Sequence, residues 1–234
     1  MNAARWRRFY GTQALLLALS ALALAWVFHA TALDLRLEAP YYDAASHGFP
    51  WRRAWISKYF VHRYLKYGLI VLGVWVWGVL VAAWLGRGPR WLAGRRRRWA
   101  TVALSFALVP TVIAVLRHFS TMHCPWDVTD FGGYLAYFDL LSPAPAGAPL
   151  GRCFPAGFVT GSSWLLAFAL LWYPERPRRA LLAGLGLFAF ALGMGWVQQM
   201  RGAHFLSHTL WSLWLSWLLV LLIHAACQAW REGD

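Results

Sequence analysis

Residues 209–227, TLWSLWLSWLLVLLIHAAC, run for nineteen positions without an Asp, Glu, Lys or Arg. A helix needs roughly 20 predominantly apolar residues to cross a bilayer, so this stretch reads as a membrane span. Five others approach the same pattern, at 9–30, 68–86, 99–116, 157–173 and 180–197. Composition agrees: 60% hydrophobic residues, 13% charged residues and 17 Trp in 234 residues leave too little polar surface to cover a soluble globule. The expected fold is an all-α integral membrane protein, a six-transmembrane-helix bundle forming one membrane domain over 1–234. The third, fourth and fifth runs are short and contain Pro110, Ser162, Ser163 or several Gly, which predicts packing against protein more than lipid. The first run follows Arg5, Arg7 and Arg8, as a secretory signal would, but its length and the lack of a convincing small-residue cleavage site predict a retained span.

The net charge of +13 is not that of a nucleic-acid binder, because the basic residues form neither an amphipathic stripe nor a tail. They gather between apolar runs: Arg87, Arg90 and the Arg95, Arg96, Arg97, Arg98 run between spans two and three, and Arg176, Arg178 and Arg179 between spans four and five. Such clusters stay on the inner side, which places both termini inside. The loop 31–67 is a counter-signal, with Arg36, Arg52, Arg53, Lys58, Arg63 and Lys66, but it is long enough to be translocated regardless.

That topology sends three polar segments to the outer side. Arg201-Gly202-Ala203-His204-Phe205-Leu206-Ser207-His208 lies between spans five and six. Arg117-His118-Phe119-Ser120-Thr121-Met122-His123-Cys124-Pro125-Trp126-Asp127 follows span three, and Arg152-Cys153-Phe154-Pro155-Ala156-Gly157-Phe158 precedes span four. Ionisable side chains at a membrane boundary are costly unless paired, solvated or used, so their convergence predicts one composite site. Cys124 and Cys153 share the outer loop, where they either pair and close a loop of about thirty residues or remain two thiols beside the site.

These segments resemble the type 2 phosphatidic acid phosphatase superfamily, whose motifs are Lys-x6-Arg-Pro, Pro-Ser-Gly-His and Ser-Arg-x5-His-x3-Asp. Arg117 takes the Lys position, Cys124-Pro125 that of Arg-Pro, Pro155-Ala156-Gly157-Phe158 that of Pro-Ser-Gly-His, and His204 with His208 those of the last His and Asp. The sequence is also similar to a bacterial subgroup carrying Cys-Pro-Trp-Asp, Cys-Phe-Pro-x-Gly-His and Arg-Gly-Ala-His-Phe-x-Ser-His. The resemblance covers residues 68–227 and implies a phosphatase-like core there, in a bacterial inner membrane with the site facing the periplasm. It implies a phosphoric ester or anhydride hydrolase acting on a membrane lipid phosphate or diphosphate, with His204 as nucleophile and no cofactor or metal. A neutral imidazole can attack phosphorus, and the resulting phosphohistidine is later hydrolysed. Arg117, Arg152 and Arg201, with the Gly157 backbone N–H, would hold the phosphoryl oxygens. His208 would orient His204, with Asp127 or Asp130 supplying negative charge.

Phe158 is the departure from this pattern, since the family's His there protonates the leaving oxygen and Phe has no proton to give. His118 or His123 are candidate substitutes, and Cys124 and Asp127 candidate supports. The alternative is a family member that binds phosphorylated lipid without turnover. His204 and His208 also have metal-ligand spacing, which His118, His123, Cys124 and Asp127 could complete, but no motif fixes a third ligand. His62 and Lys66, one turn apart before span two, read as a headgroup contact or simply as solvated surface.

Overall fold

The computed structural model describes residues 3–92 and 94–229. It is a helical bundle with no named β-strand among the described residues. Five helices are long and apolar enough to cross a membrane: Ala4–Ala30, Pro50–Trp84, Arg96–His118, Pro177–Met200 and Leu206–Ala229. The protein is an integral membrane protein. In chain order the α-helices are α1 (Ala3–Ala30), α2 (Leu33–Glu38), α3 (Lys66–Trp84), α4 (Arg96–His118), α5 (Gly157–Ser163), α6 (Pro177–Met200) and α7 (Leu206–Ala229).

The fourth expected span is the short one. Helix α5 continues as a 3-10 stretch, Trp164–Leu171, so Gly157–Leu171 is one apolar helical rod. Because a 3-10 helix rises about 2.0 Å per residue against about 1.5 Å for an α-helix, the rod reaches roughly 27 Å, close to the roughly 30 Å of a hydrocarbon core. Trp164, Leu165, Leu166, Ala167, Ala169 and Leu170 are buried in the bundle, and Trp164, Leu165, Ala167 and Leu170 share a core with Val76, Leu80, Val102, Val109 and Val220. Ser163 Oγ donates to Ser216 Oγ of α7 at 2.6 Å, an interhelical hydrogen bond between two small residues that let the backbones approach.

Two expectations are corrected. Helix α6 does not pack mainly against protein, since only 17% of its apolar window is buried; Gly186 and Gly193 have open space where a Cβ would stand. Nor is 31–67 simply a loop, for residues Ile56–Leu65 form a π-helical stretch that runs straight into α3. Its basic residues masked a helix that emerges well beyond the apolar run.

The two ends of the bundle differ. Arg5 Nη1 donates to the Pro174 carbonyl at 3.4 Å, and Arg98 forms a forked pair with Glu175, so the N-terminus and the basic clusters share one end. The opposite end carries the three motif segments beneath an aromatic cluster of Phe49, Phe131 and Phe205, with Tyr42, Trp126 and Tyr137 packed on it.

Candidate functional site

Helix α6 ends in a reversal that depends on glycine. Gly202 adopts φ +70°, its N–H donates to the Gln199 carbonyl at 2.7 Å, and the Ala203 N–H donates to that of Gln198 at 2.9 Å. This is a Schellman closure, and a Cβ at 202 would also run into the Phe49 ring. The turn leaves Arg201 and His204 between α6 and α7, at the same end as the other two motif segments.

Backbone hydrogen bonds tie the segments together. The Arg152 N–H donates to Ser120 O at 2.9 Å, Cys153 N–H to Met122 O at 3.1 Å and Trp126 N–H to Gly202 O at 3.1 Å. Cys124 and Cys153 are disulfide-bonded with their Cα atoms 5.3 Å apart, which settles the choice the sequence left open. Each motif segment is therefore held directly to at least one other.

His204 lies at the centre, 5% exposed. Its Nδ1 is 3.4 Å from Cys153 Sγ. A bonded sulfur has no proton to give, so any hydrogen bond across this contact runs from Nδ1–H to sulfur and leaves the lone pair on Nε2. Burial, reinforced by His208, Arg117 and Arg201, holds the imidazole well below its ordinary range, so it is neutral at pH 7. The His208 ring stands 6.1 Å away, centroid to centroid, in a T-shaped arrangement, and its buried Nδ1 has no partner among the described residues.

The cations come from three elements. Arg117 donates through Nε to the Arg152 carbonyl, and its Nη1 would stand 3.0 Å from a Cβ at Gly157, so only glycine leaves that approach free. Arg152 holds a left-handed backbone, φ +51°, a conformation that disfavours a non-glycine residue by about 1–2 kcal/mol. Arg201 Nη1 donates to Gln198 Oε1 at 2.8 Å while its buried Nε has no partner among the described residues and is a donor suited to an anionic oxygen.

Beside these groups opens a cavity of about 760 Å³ between α3 and α4. His62, Lys66, Arg117, His118 and Arg152 form its polar end, and Leu69, Phe106, Trp164 and Met194 its apolar end. From Arg117 down to Phe106 is eleven residues of α4, about 16 Å at 1.5 Å per residue, or one leaflet's depth of hydrocarbon. Gly157 and Phe158 line it too, but His204, His208 and Arg201 are not part of its wall.

Residues 98–232 match the family model of the PAP2 superfamily. The chain belongs to the PAP2 superfamily. Membership points to phosphatase activity on phosphate esters. No curated protein and no solved structure matches the chain. The PAP2 match begins in α4, so α1, α2 and α3 lie outside it, although α3 and the π-helical stretch ahead of it wall one side of the cavity.

Among the other residues singled out in the sequence, His123 is buried and outside the cavity lining, with its Nε2 unpartnered among the described residues and its ring 6.2 Å from that of Phe138. Asp127 ends a 3-10 turn and receives the Tyr134 and Leu135 amides on its backbone carbonyl. Asp130 is exposed. Cys124, Cys153 and His204 bring ligand-type atoms within 4.8 Å of one another, but the two sulfurs are bonded to each other and offer no thiolate to a cation.

Sequence reasoning missed Asp34. It is buried, accepts the Ser207 N–H at 2.9 Å, the Ser207 hydroxyl and the Tyr137 hydroxyl at 3.1 Å, and so caps the start of α7 three residues beyond His204. Burial, opposed by the Ser207 hydrogen bonds, pushes its carboxyl up to about 6. Glu38, one turn on, is fully buried with both carboxylate oxygens unpartnered among the described residues, and burial with the Asp34 charge pushes it up to about 10, so it is protonated at neutral pH. The available signal was two of only nine acidic residues, four apart, in a strongly basic chain.

Proposed function

We propose that this protein removes phosphate from a membrane lipid phosphate or diphosphate, with His204 as the nucleophile and a phosphohistidine as the intermediate. The observation that carries the reading is the buried His204 imidazole where the three motif segments meet, its Nδ1 3.4 Å from Cys153 Sγ and held well below its ordinary range by burial with His208, Arg117 and Arg201. The substrate's phosphate meets Arg117 and Arg152 at the polar end, and its chain lies along Leu69, Phe106 and Trp164. Nε2 attacks phosphorus as the leaving oxygen departs with its electron pair, while the arginines offset charge on the phosphoryl oxygens. His208 of α7 and Cys153 of the segment before α5 lie against the nucleophile from two sides.

The site faces the periplasm of a bacterial inner membrane. The disulfide favours an oxidising compartment, and the basic clusters lie at the opposite end of the bundle. Residues 68–227 form the phosphatase-like core within a single membrane domain.

A second reading, binding of phosphorylated lipid without turnover, is favoured by Phe158, an aromatic ring on the cavity wall beside Gly157 that can donate no proton. Inorganic phosphate release from phosphatidate, lipid A and polyprenyl diphosphate by the purified protein separates the two. Release that is lost in His204→Ala supports catalysis. Lipid binding without release supports the second reading.

A further inference from the structure

The phosphatase reading leaves one proton unaccounted for. When an alkoxide leaves phosphorus it must be protonated, and Phe158 cannot do so. A group that donates near neutral pH is an imidazole, because Lys and Arg hold their protons too tightly. The cavity wall carries two, His62 and His118.

Their settings differ. The His118 ring lies edge-on to that of Phe119, itself 71% exposed, at the very end of α4. The His62 ring stacks on Phe158, centroids 4.7 Å apart and planes 19° from parallel. Phe158 adjoins Gly157, over which the Arg117 guanidinium sits. Stacking fixes the plane of the His62 ring at the cavity wall, and no side chain hydrogen-bonds it among the described residues. His62 and Phe158 line the cavity together with Arg117 and Arg152, so a phosphate held by these two cations shares that cavity with the His62 ring.

The backbone explains how a residue ahead of α3 gets there. His62 belongs to the π-helical stretch Ile56–Leu65, a geometry frequent at functional sites. With Lys66, Leu69 and Ile70 it forms one stripe at i, i+4, i+7 and i+8 along the cavity.

We propose that His62, stacked on Phe158 at the polar end of the cavity, is the catalytic residue that protonates the leaving oxygen. His204 Nε2 forms the bond to phosphorus, the bond from phosphorus to the leaving oxygen breaks, and that oxygen takes the electron pair and the proton from His62. Water then gives a proton back to His62 as its oxygen attacks phosphorus, the phosphorus–nitrogen bond breaks, and phosphate and His204 are released. The inference rests on the phosphatase reading above.

The test uses full-length protein in detergent with two probes, dodecyl phosphate, whose alkoxide needs protonation, and p-nitrophenyl phosphate, whose leaving group does not. His62→Gln should lower kcat for dodecyl phosphate by about a hundred- to ten-thousand-fold, with a loss on p-nitrophenyl phosphate at least about tenfold smaller. Adding Phe158→His to His62→Gln should restore part of the dodecyl phosphate turnover, because it sets an imidazole on the same wall. Equal losses on both probes, or a change confined to KM, would mean that His62 only binds the headgroup and would overturn the assignment. Wild-type turnover unchanged in His62→Gln overturns the donor and leaves the phosphatase standing, whereas no release by wild type from either probe overturns both.

Discussion

Reducing the Cys124–Cys153 bond perturbs the site at its most constrained point. The bond closes a loop with a sequence separation of 29 residues and joins the segment after α4 to the one that enters α5. Chain-entropy reasoning for a loop of about thirty residues gives about 3.5 kcal/mol of stabilisation. For a protein of this length that corresponds to a fall in melting temperature of roughly 7–14 °C. The effect should extend to chemistry, because Cys153 Sγ is the neighbour of His204 Nδ1. A free thiol can rotate away or act as a donor instead. The assay is thermal unfolding in detergent with and without reductant, beside phosphate release from a lipid phosphate, with thiol labelling to confirm that both sulfurs are free. Cys124→Ser and Cys153→Ser should each reproduce the reduced protein. An unchanged melting temperature and unchanged turnover in a protein with two labelled thiols would refute the view that the disulfide holds the site together.

Asp34→Asn tests the buried cap on α7. A carboxyl raised from 3.8 to about 6 contributes stability that is fully present below the unfolded value and lost as pH rises through 6, on the order of 3 kcal/mol. The variant lacks this slope, so its melting temperature relative to wild type should climb by several degrees from pH 4 to pH 7.5; a pH-independent difference contradicts the assignment. Topology is tested by cysteine labelling with an impermeant reagent in intact cells: substitutions at Arg96 or Arg97 should be protected and substitutions at Pro145 or Ala146 labelled. The reverse pattern would place the site on the inner face.

The spans were legible because apolar runs near bilayer length admit few other structures. The run at 157–173 was readable as an apolar helix from composition, although the 3-10 stretch that lengthens Gly157–Leu171 has no sequence signature of its own. The glycines of α6 were misleading: Gly195 meets Thr209, as expected of a packing glycine, but Gly186 and Gly193 face open space. Periodicity places a residue on a face without naming the neighbour. His204, Arg117 and Arg152 were readable as candidates because they punctuate apolar runs. Asp34, 173 residues from Ser207, and His62, 96 residues from Phe158, were not, since their significance lies in contacts across the fold. The basic residues around His62 made 31–67 look like a solvated loop and hid the π-helical stretch that delivers it.

The central claim is that His204 carries the phosphoryl group. Rapid mixing of purified protein with a lipid substrate labelled in its phosphate, quenched in base, should trap a phosphorylated protein whose label is stable in alkali and lost in mild acid. The label should be absent from His204→Ala and present in the correctly folded wild type at up to one phosphoryl group per chain. Label that persists in His204→Ala, or phosphate release by that variant at the wild-type rate, would contradict the account.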